Sequence, residues 1–86
     1  MNDLETYKKK IIFKASHRGS KEMDILLGNF IKKYIELLNE NELGLFSAIL
    51  DCDDDDIYQW ILGKKEIPSQ HSNRVFALLI NNTNKN

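Results

Sequence analysis

His17-Arg18-Gly19-Ser20-Lys21-Glu22-Met23-Asp24 is a hydrophilic interruption between two segments with strong helical periodicity. Gly19 is its natural hinge, because a helix commonly ends with a residue at positive φ and only glycine takes that conformation without a steric penalty. Ser20 then offers a side-chain oxygen to the free N–H groups of the following helix. Glu22 and Asp24 place negative charge in its first turn, where the macrodipole favours it. A plain helix corner explains these four residues but gives Arg18 no task, since a cation just before a helix meets the wrong end of that dipole. The stretch reads as helix, corner, helix, and makes the chain an all-α candidate.

On the N-terminal side, Leu4, Tyr7, Ile11, Ile12 and Ala15 form the stripe of an amphipathic helix starting at Asp3. Lys8, Lys9, Lys10 and Lys14 fill its other faces, and the line from Lys10 through Lys14 leads toward Arg18. On the C-terminal side, Met23, Leu26, Leu27, Phe30, Ile31, Tyr34, Ile35 and Leu38 predict a central helix over residues 21–38. Ile25 and Leu37 widen that stripe, which predicts packing on more than one side. Gly28 inside the helix costs about 1 kcal/mol against alanine, and a close helix crossing is the expected reason for it.

Asn39 followed by Glu42 reads as a capping box opening a third helix to about Leu50, with Leu43, Phe46, Ile49 and Leu50 inward. The acidic run 51–56 does not fit a calcium loop: Asp56 stands where an EF-hand needs glycine, and Leu62 where it needs glutamate. These acids are expected to cap a short fourth helix carrying Ile57, Trp60 and Ile61 inward and closed by Gly63. Cys52 reads as a packing residue. Residues 63–69 read as a loop, Ser69 or Ser72 as the start of a last helix with Val75, Phe76, Leu79 and Ile80 on its apolar face, and residues 81–86 as a fraying tail. The prediction is one domain over residues 1–86, a small bundle of about five helices.

A chain of 86 residues buries only about 60 to 65% of the surface that it exposes when unfolded. At ~0.05 to 0.15 kcal/mol per residue, the whole fold rests on roughly 4 to 13 kcal/mol. Net charge is −1, but six of the twelve basic residues precede Glu22, while residues 36–63 hold eight acids and no Lys or Arg. That segregation predicts a basic end and an acidic end, suited to docking on a protein of complementary charge and poor for nucleic acid, which needs a sustained positive surface. One cysteine excludes an internal disulfide and fits a reducing compartment. No apolar run reaches the ~20 residues of a membrane span, and the N-terminus has the character of neither a signal nor a transit peptide. A soluble protein of the bacterial cytoplasm, monomeric when free, is expected. His17 and His71 have no metal-ligand partner at useful spacing, no catalytic Ser, His and Asp or Cys and His pattern rises above chance, and no Gly-rich phosphate loop is present.

Two motifs carry a resemblance. Arg18-Gly19, two variable residues, Glu22, an apolar residue and Asp24 lie between two amphipathic helices. A second block, Asp51-Cys52-Asp53-Asp54-Asp55-Asp56-Ile57-Tyr58-Gln59-Trp60, follows at the expected distance. Together, over roughly residues 4–80, they resemble the succinate dehydrogenase flavinylation factors, small assembly factors that promote covalent attachment of FAD to the flavoprotein subunit. The resemblance implies a non-enzymatic assembly factor whose partner is the succinate dehydrogenase flavoprotein, with the fumarate reductase flavoprotein as a further client. It implies no stably bound cofactor, the FAD belonging to the partner, and no metal.

By match to the family motif, Arg18, Gly19 and Glu22 form the partner-binding surface, with His17 and Asp24 beside them. The acceptor histidine belongs to the flavoprotein, so His17 is not flavinylated. His17 stands where the family usually has another Arg, and Ser20 where it has a larger apolar residue, which places more of the affinity on Arg18 and Glu22. The rival from another class is a small helical nucleic-acid-binding or toxin-antitoxin-type regulator using Lys8 to Lys14. The polar face of that helix carries no aromatic stacking residues, and sub-micromolar affinity for DNA or RNA at physiological salt would favour the rival.

Overall fold

Helices begin in this chain where a side chain supplies an acceptor for backbone N–H groups that have no partner within the helix. In the computed structural model, which describes residues 3–84, α1 (Asp3–Ser16) and α2 (Lys21–Tyr34) flank the corner. They are followed by α3 (Glu40–Leu50), α4 (Asp54–Ile61), a 3₁₀ turn (Ser69–His71) and α5 (Arg74–Asn84). Ser20 Oγ accepts from Met23 N at 3.5 Å. The capping box is complete: Asn39 Oδ1 accepts from Glu42 N at 2.8 Å, and Asn39 N donates back to Glu42 Oε1 at 3.1 Å. The bundle is all-α among the described residues, as predicted.

Four expectations need correction. The last helix starts from neither Ser69 nor Ser72. Their segment closes a 3₁₀ turn in which His71 N donates to Pro68 O, and the cap is Asn73, whose Oδ1 accepts from Phe76 N at 3.1 Å. Residues 81–84 do not fray but continue α5, with Thr83 Oγ1 donating to the Leu79 carbonyl at 2.9 Å; residues 85–86 lie outside the described residues. The central helix ends at Tyr34 rather than Leu38, because Leu37 N and Leu38 N both turn onto the Tyr34 carbonyl, at 2.9 and 3.0 Å, and tighten the last turn. Asp53 stands at the N-cap position of α4 but its side chain makes no capping bond. The acids of the first turn, Asp54, Asp55 and Asp56, act there through charge.

Phe30 of α2, Phe46 of α3 and Phe76 of α5 are all buried in the core, with the Phe30 and Phe46 rings 5.3 Å apart and the Phe76 ring 6.1 Å from Trp60. α1 lays Ile11 and Ala15 against α2 and α3, while α4 adds Ile57, Trp60 and Ile61. Ile25 and Leu37 do not extend this core: they are 52% and 70% exposed. Ile25 lies two residues from both Met23 and Leu27, about 200° around the helix at ~100° per residue, on the face away from the stripe. Gly28 marks the close crossing expected of it, since a Cβ there would stand 2.9 Å from Ser16 Oγ of α1.

The segregated charges do not form opposite ends. Folding sets the basic N-terminal segment against the acidic one, pairing Lys8 with Glu36, Lys14 with Asp51 and Arg18 with Asp54. Opposite charge far apart in sequence is drawn together, so polarity along the chain becomes neutralisation in space.

Glu42 gives a pH prediction. The backbone N–H of Asn39 holds its carboxyl below the usual 4.5; burial opposes this, and Arg74 adds to it. A depressed folded-state pKa contributes stability that is full above the unfolded value and lost as pH falls through the folded one. The thermal midpoint is therefore expected to drop below about pH 4.5, with a shallower drop in Glu42→Gln. Identical acid limbs in the two proteins would contradict this.

Candidate functional site

The corner is built from the backbone outward. Gly19 takes φ +96°, and nothing lies within 4 Å of where its Cβ would be, so the requirement there is conformational and the space above it is open. The Arg18 backbone N–H donates to Asp24 Oδ1, which staples the start of the corner to the first turn of α2.

The Arg18 side chain then turns into the fold, only 11% exposed. Its Nε donates to Asp54 Oδ1 at 2.8 Å, Nη1 to the Leu50 carbonyl at 2.6 Å and Nη2 to the Cys52 carbonyl at 2.9 Å. Leu50 is the last residue of α3 and Asp54 the first of α4, so this guanidinium caps the negative end of one helix and pairs with an acid at the positive end of the next. Arg18 has a structural task after all, and it is performed on helices distant in sequence.

Glu22 is exposed, as expected. It sits between two shallow concavities, one shared with Ser20, Met23, Asp55 and Tyr58, the other with Ile25, Leu26, Asn29 and Asn82. His17 is exposed too: its ring stacks on Phe13 with centroids 4.1 Å apart, and its Nδ1–H donates to the Phe13 carbonyl at 2.9 Å. All five sequence-predicted site residues therefore gather at one corner. His17, Gly19 and Glu22 face outward, while Arg18 and Asp24 hold the corner's shape. The partners of Arg18 went unseen in the sequence because Leu50, Cys52 and Asp54 lie 32 to 36 residues away. The only signal was the coincidence of one unexplained cation with one acid-rich block.

The structure also brings Cys52 Sγ within 3.3 Å of His71 Nε2, a pairing that no sequence spacing announced. Burial first, then Asp51, Asp56 and Asp53, push the Cys52 thiol up from 9.0, with Arg18 opposing; it stays a thiol at neutral pH and is no activated nucleophile. Cys52 Sγ also lies 3.8 Å from the Ala48 carbonyl, to which its S–H donates, and His71 Nδ1 is buried with no hydrogen-bond partner. His71 packs against Trp60, Cys52 is half-buried at the edge of the core, and the pair reads as packing. Among the described residues, no group of three or more His, Cys, Asp or Glu is placed to hold a metal, and no helix is long and apolar enough to cross a membrane. The corner presents an open backbone at Gly19, an exposed carboxylate at Glu22 and a shape fixed by Arg18 and Asp24.

Comparison with known proteins matches residues 9–83 to the family described as flavinator of succinate dehydrogenase. The chain is 34% identical over 79 residues to succinate dehydrogenase assembly factor 2, mitochondrial, of Dictyostelium discoideum, covering 92% of this chain and 56% of that protein. It is 32% identical over 78 residues to assembly factor 2-B, mitochondrial, of Drosophila mojavensis, covering 88% and 50%. A bacterial relative, the FAD assembly factor SdhE of Acetobacter pasteurianus, is 25% identical over 79 residues, covering 92% and 72%. The chain thus spans about half the length of the mitochondrial relatives that it matches.

Proposed function

This chain belongs to the family of flavinators of succinate dehydrogenase, and on that footing we propose that it is an assembly factor that docks on the flavoprotein subunit of succinate dehydrogenase and promotes covalent attachment of that subunit's FAD. The observation that carries the reading is the corner itself. Arg18 and Asp24 fix its shape from inside, leaving Gly19 and Glu22 exposed at its apex. Gly19 lets the partner's surface approach the backbone, Glu22 accepts hydrogen bonds from it, and His17 borders the contact.

In this reading the chain performs no chemistry of its own. The FAD and its acceptor histidine belong to the flavoprotein, and the factor holds that protein in the state in which the flavin bond forms. The fumarate reductase flavoprotein is proposed as a further client, the free factor as a monomer, and the bacterial cytoplasm as its compartment. The nucleic-acid reading is disfavoured by the ion pairs that occupy Lys8, Lys14 and Arg18; no sub-micromolar DNA or RNA affinity is expected at physiological salt. The test is complementation. Expressed in cells lacking their own factor, this chain is expected to restore covalent flavin on the succinate dehydrogenase flavoprotein, read as in-gel fluorescence. A flavoprotein band that stays dark, with the chain folded and abundant, would overturn the proposal.

A further inference from the structure

Of the four phenylalanines, Phe30, Phe46 and Phe76 are buried, but Phe13 is 64% exposed. Lys9, Phe13 and His17 follow one another at intervals of four, which lines them along one edge of α1 and its end. This edge faces Lys32 of α2 across a groove floored by Ile12 and Ser16. His17 is held by its stacking on Phe13 and by its bond to the Phe13 carbonyl, so the two rings form a preset platform. Lys8, Lys14, Lys65, Arg18 and Arg74 have carboxylate partners, whereas Lys9, Lys10, Lys21, Lys32, Lys33 and Lys64 have no ion pair among the described residues, and of these Lys9 and Lys32 line the groove.

We propose that this groove is a second docking surface for the client flavoprotein, taking an acidic segment that inserts an apolar side chain against Phe13. The inference rests on the assembly-factor reading and adds to it the chemistry of a second contact. Charge decides the occupant: two uncompensated lysines flank an aromatic platform, which calls for carboxylates around an apolar anchor. The same charge is too local for nucleic acid, because of the four lysines of α1 Lys8 and Lys14 are neutralised by Glu36 and Asp51, which leaves Lys9 and Lys10 and no sustained positive stripe. A membrane surface fits less well, since the apolar stripe of α1 is turned into the core at Ile11 and Ala15. His17 also borders the Arg18-Gly19 corner, so one partner can cover both surfaces. Because the platform is already ordered, little rotamer freedom is lost on binding.

The test measures binding of the purified succinate dehydrogenase flavoprotein to the wild-type chain, to Phe13→Ser, to Lys9→Glu with Lys32→Glu, to the milder Lys9→Gln with Lys32→Gln, and to Lys64→Glu as a control on a remote exposed lysine. Thermal melts confirm that each variant is folded. Phe13→Ser and the charge reversal are each expected to weaken binding at least about tenfold, and the glutamine pair by less, with Lys64→Glu unchanged. Wild-type affinity in folded Phe13→Ser and in a folded lysine pair overturns this inference alone. Wild-type retention on phosphatidylglycerol vesicles that is lost in these variants while their flavoprotein affinity is kept also overturns it, assigning the groove to a membrane. A wild-type chain with no affinity for the flavoprotein overturns the assembly-factor reading and this inference with it.

Discussion

Arg18→Ala is expected to destabilise the fold by at least about 1.5 to 3 kcal/mol, the usual worth of one hydrogen bond to a charged group, because the partly buried guanidinium serves several acceptors together. Three acceptors lose a donor at once: the Asp54 carboxylate and the carbonyls of Leu50 and Cys52. Leu50 ends α3, so its carbonyl has no partner within the helix to fall back on, and it loses the cation that complements the α3 dipole. Against a total of roughly 4 to 13 kcal/mol, this loss takes a large share of the stability. Arg18→Lys is expected to recover only part of it, because an ammonium cannot address three acceptors with the fixed geometry of a guanidinium. Urea unfolding of the purified variants measures both effects. A wild-type midpoint in Arg18→Ala would remove Arg18 from the architecture and leave it as a surface residue.

Trp60→Ala is expected to cost about 3 to 5 kcal/mol through the cavity that it opens. The indole is buried between α4 and its neighbours, with the His71 ring 5.7 Å away and the Phe76 ring edge-on at 6.1 Å. Its removal therefore loosens the contact of α4 with α5 and takes away a ring packed on His71. The expected sign is a much lower thermal midpoint. A variant that melts like the wild type but no longer binds the flavoprotein would put Trp60 in the interface instead.

What the sequence made legible was local. The Gly19 hinge, the Ser20 cap, the Asn39–Glu42 box and the stripes of the helices each depend on residues within one or two turns, where spacing translates directly into contact. The Arg18 lock depends on groups up to 36 residues away, which no periodicity reports. The same limit hid the pairing of the basic and acidic segments, so that charge separation along the chain was read as polarity of the molecule. Ile25 and Leu37 misled because an apolar residue is weak evidence of burial by itself. Asn73 and the nearby Ser69 and Ser72 are all good caps by residue type, and only the surrounding 3₁₀ turn decides among them. The shape of the corner was legible; that Arg18 holds it from inside was not.

The proposed docking on the flavoprotein rests on the exposed apex of this corner, and on Glu22 above all. Glu22 lies in the first turn of α2, exposed. Its removal costs the fold only the ~0.3 to 1 kcal/mol of a dipole interaction, whereas a lost charge-assisted hydrogen bond to the partner costs about 1.5 to 3 kcal/mol of affinity. The measurement is in-gel fluorescence of covalent flavin on the succinate dehydrogenase flavoprotein, in cells whose only factor is the Glu22→Ala chain, beside a thermal melt of that variant. A near-wild-type melt with strongly reduced flavin fluorescence is the predicted result; a folded Glu22→Ala chain that restores full flavinylation would contradict it.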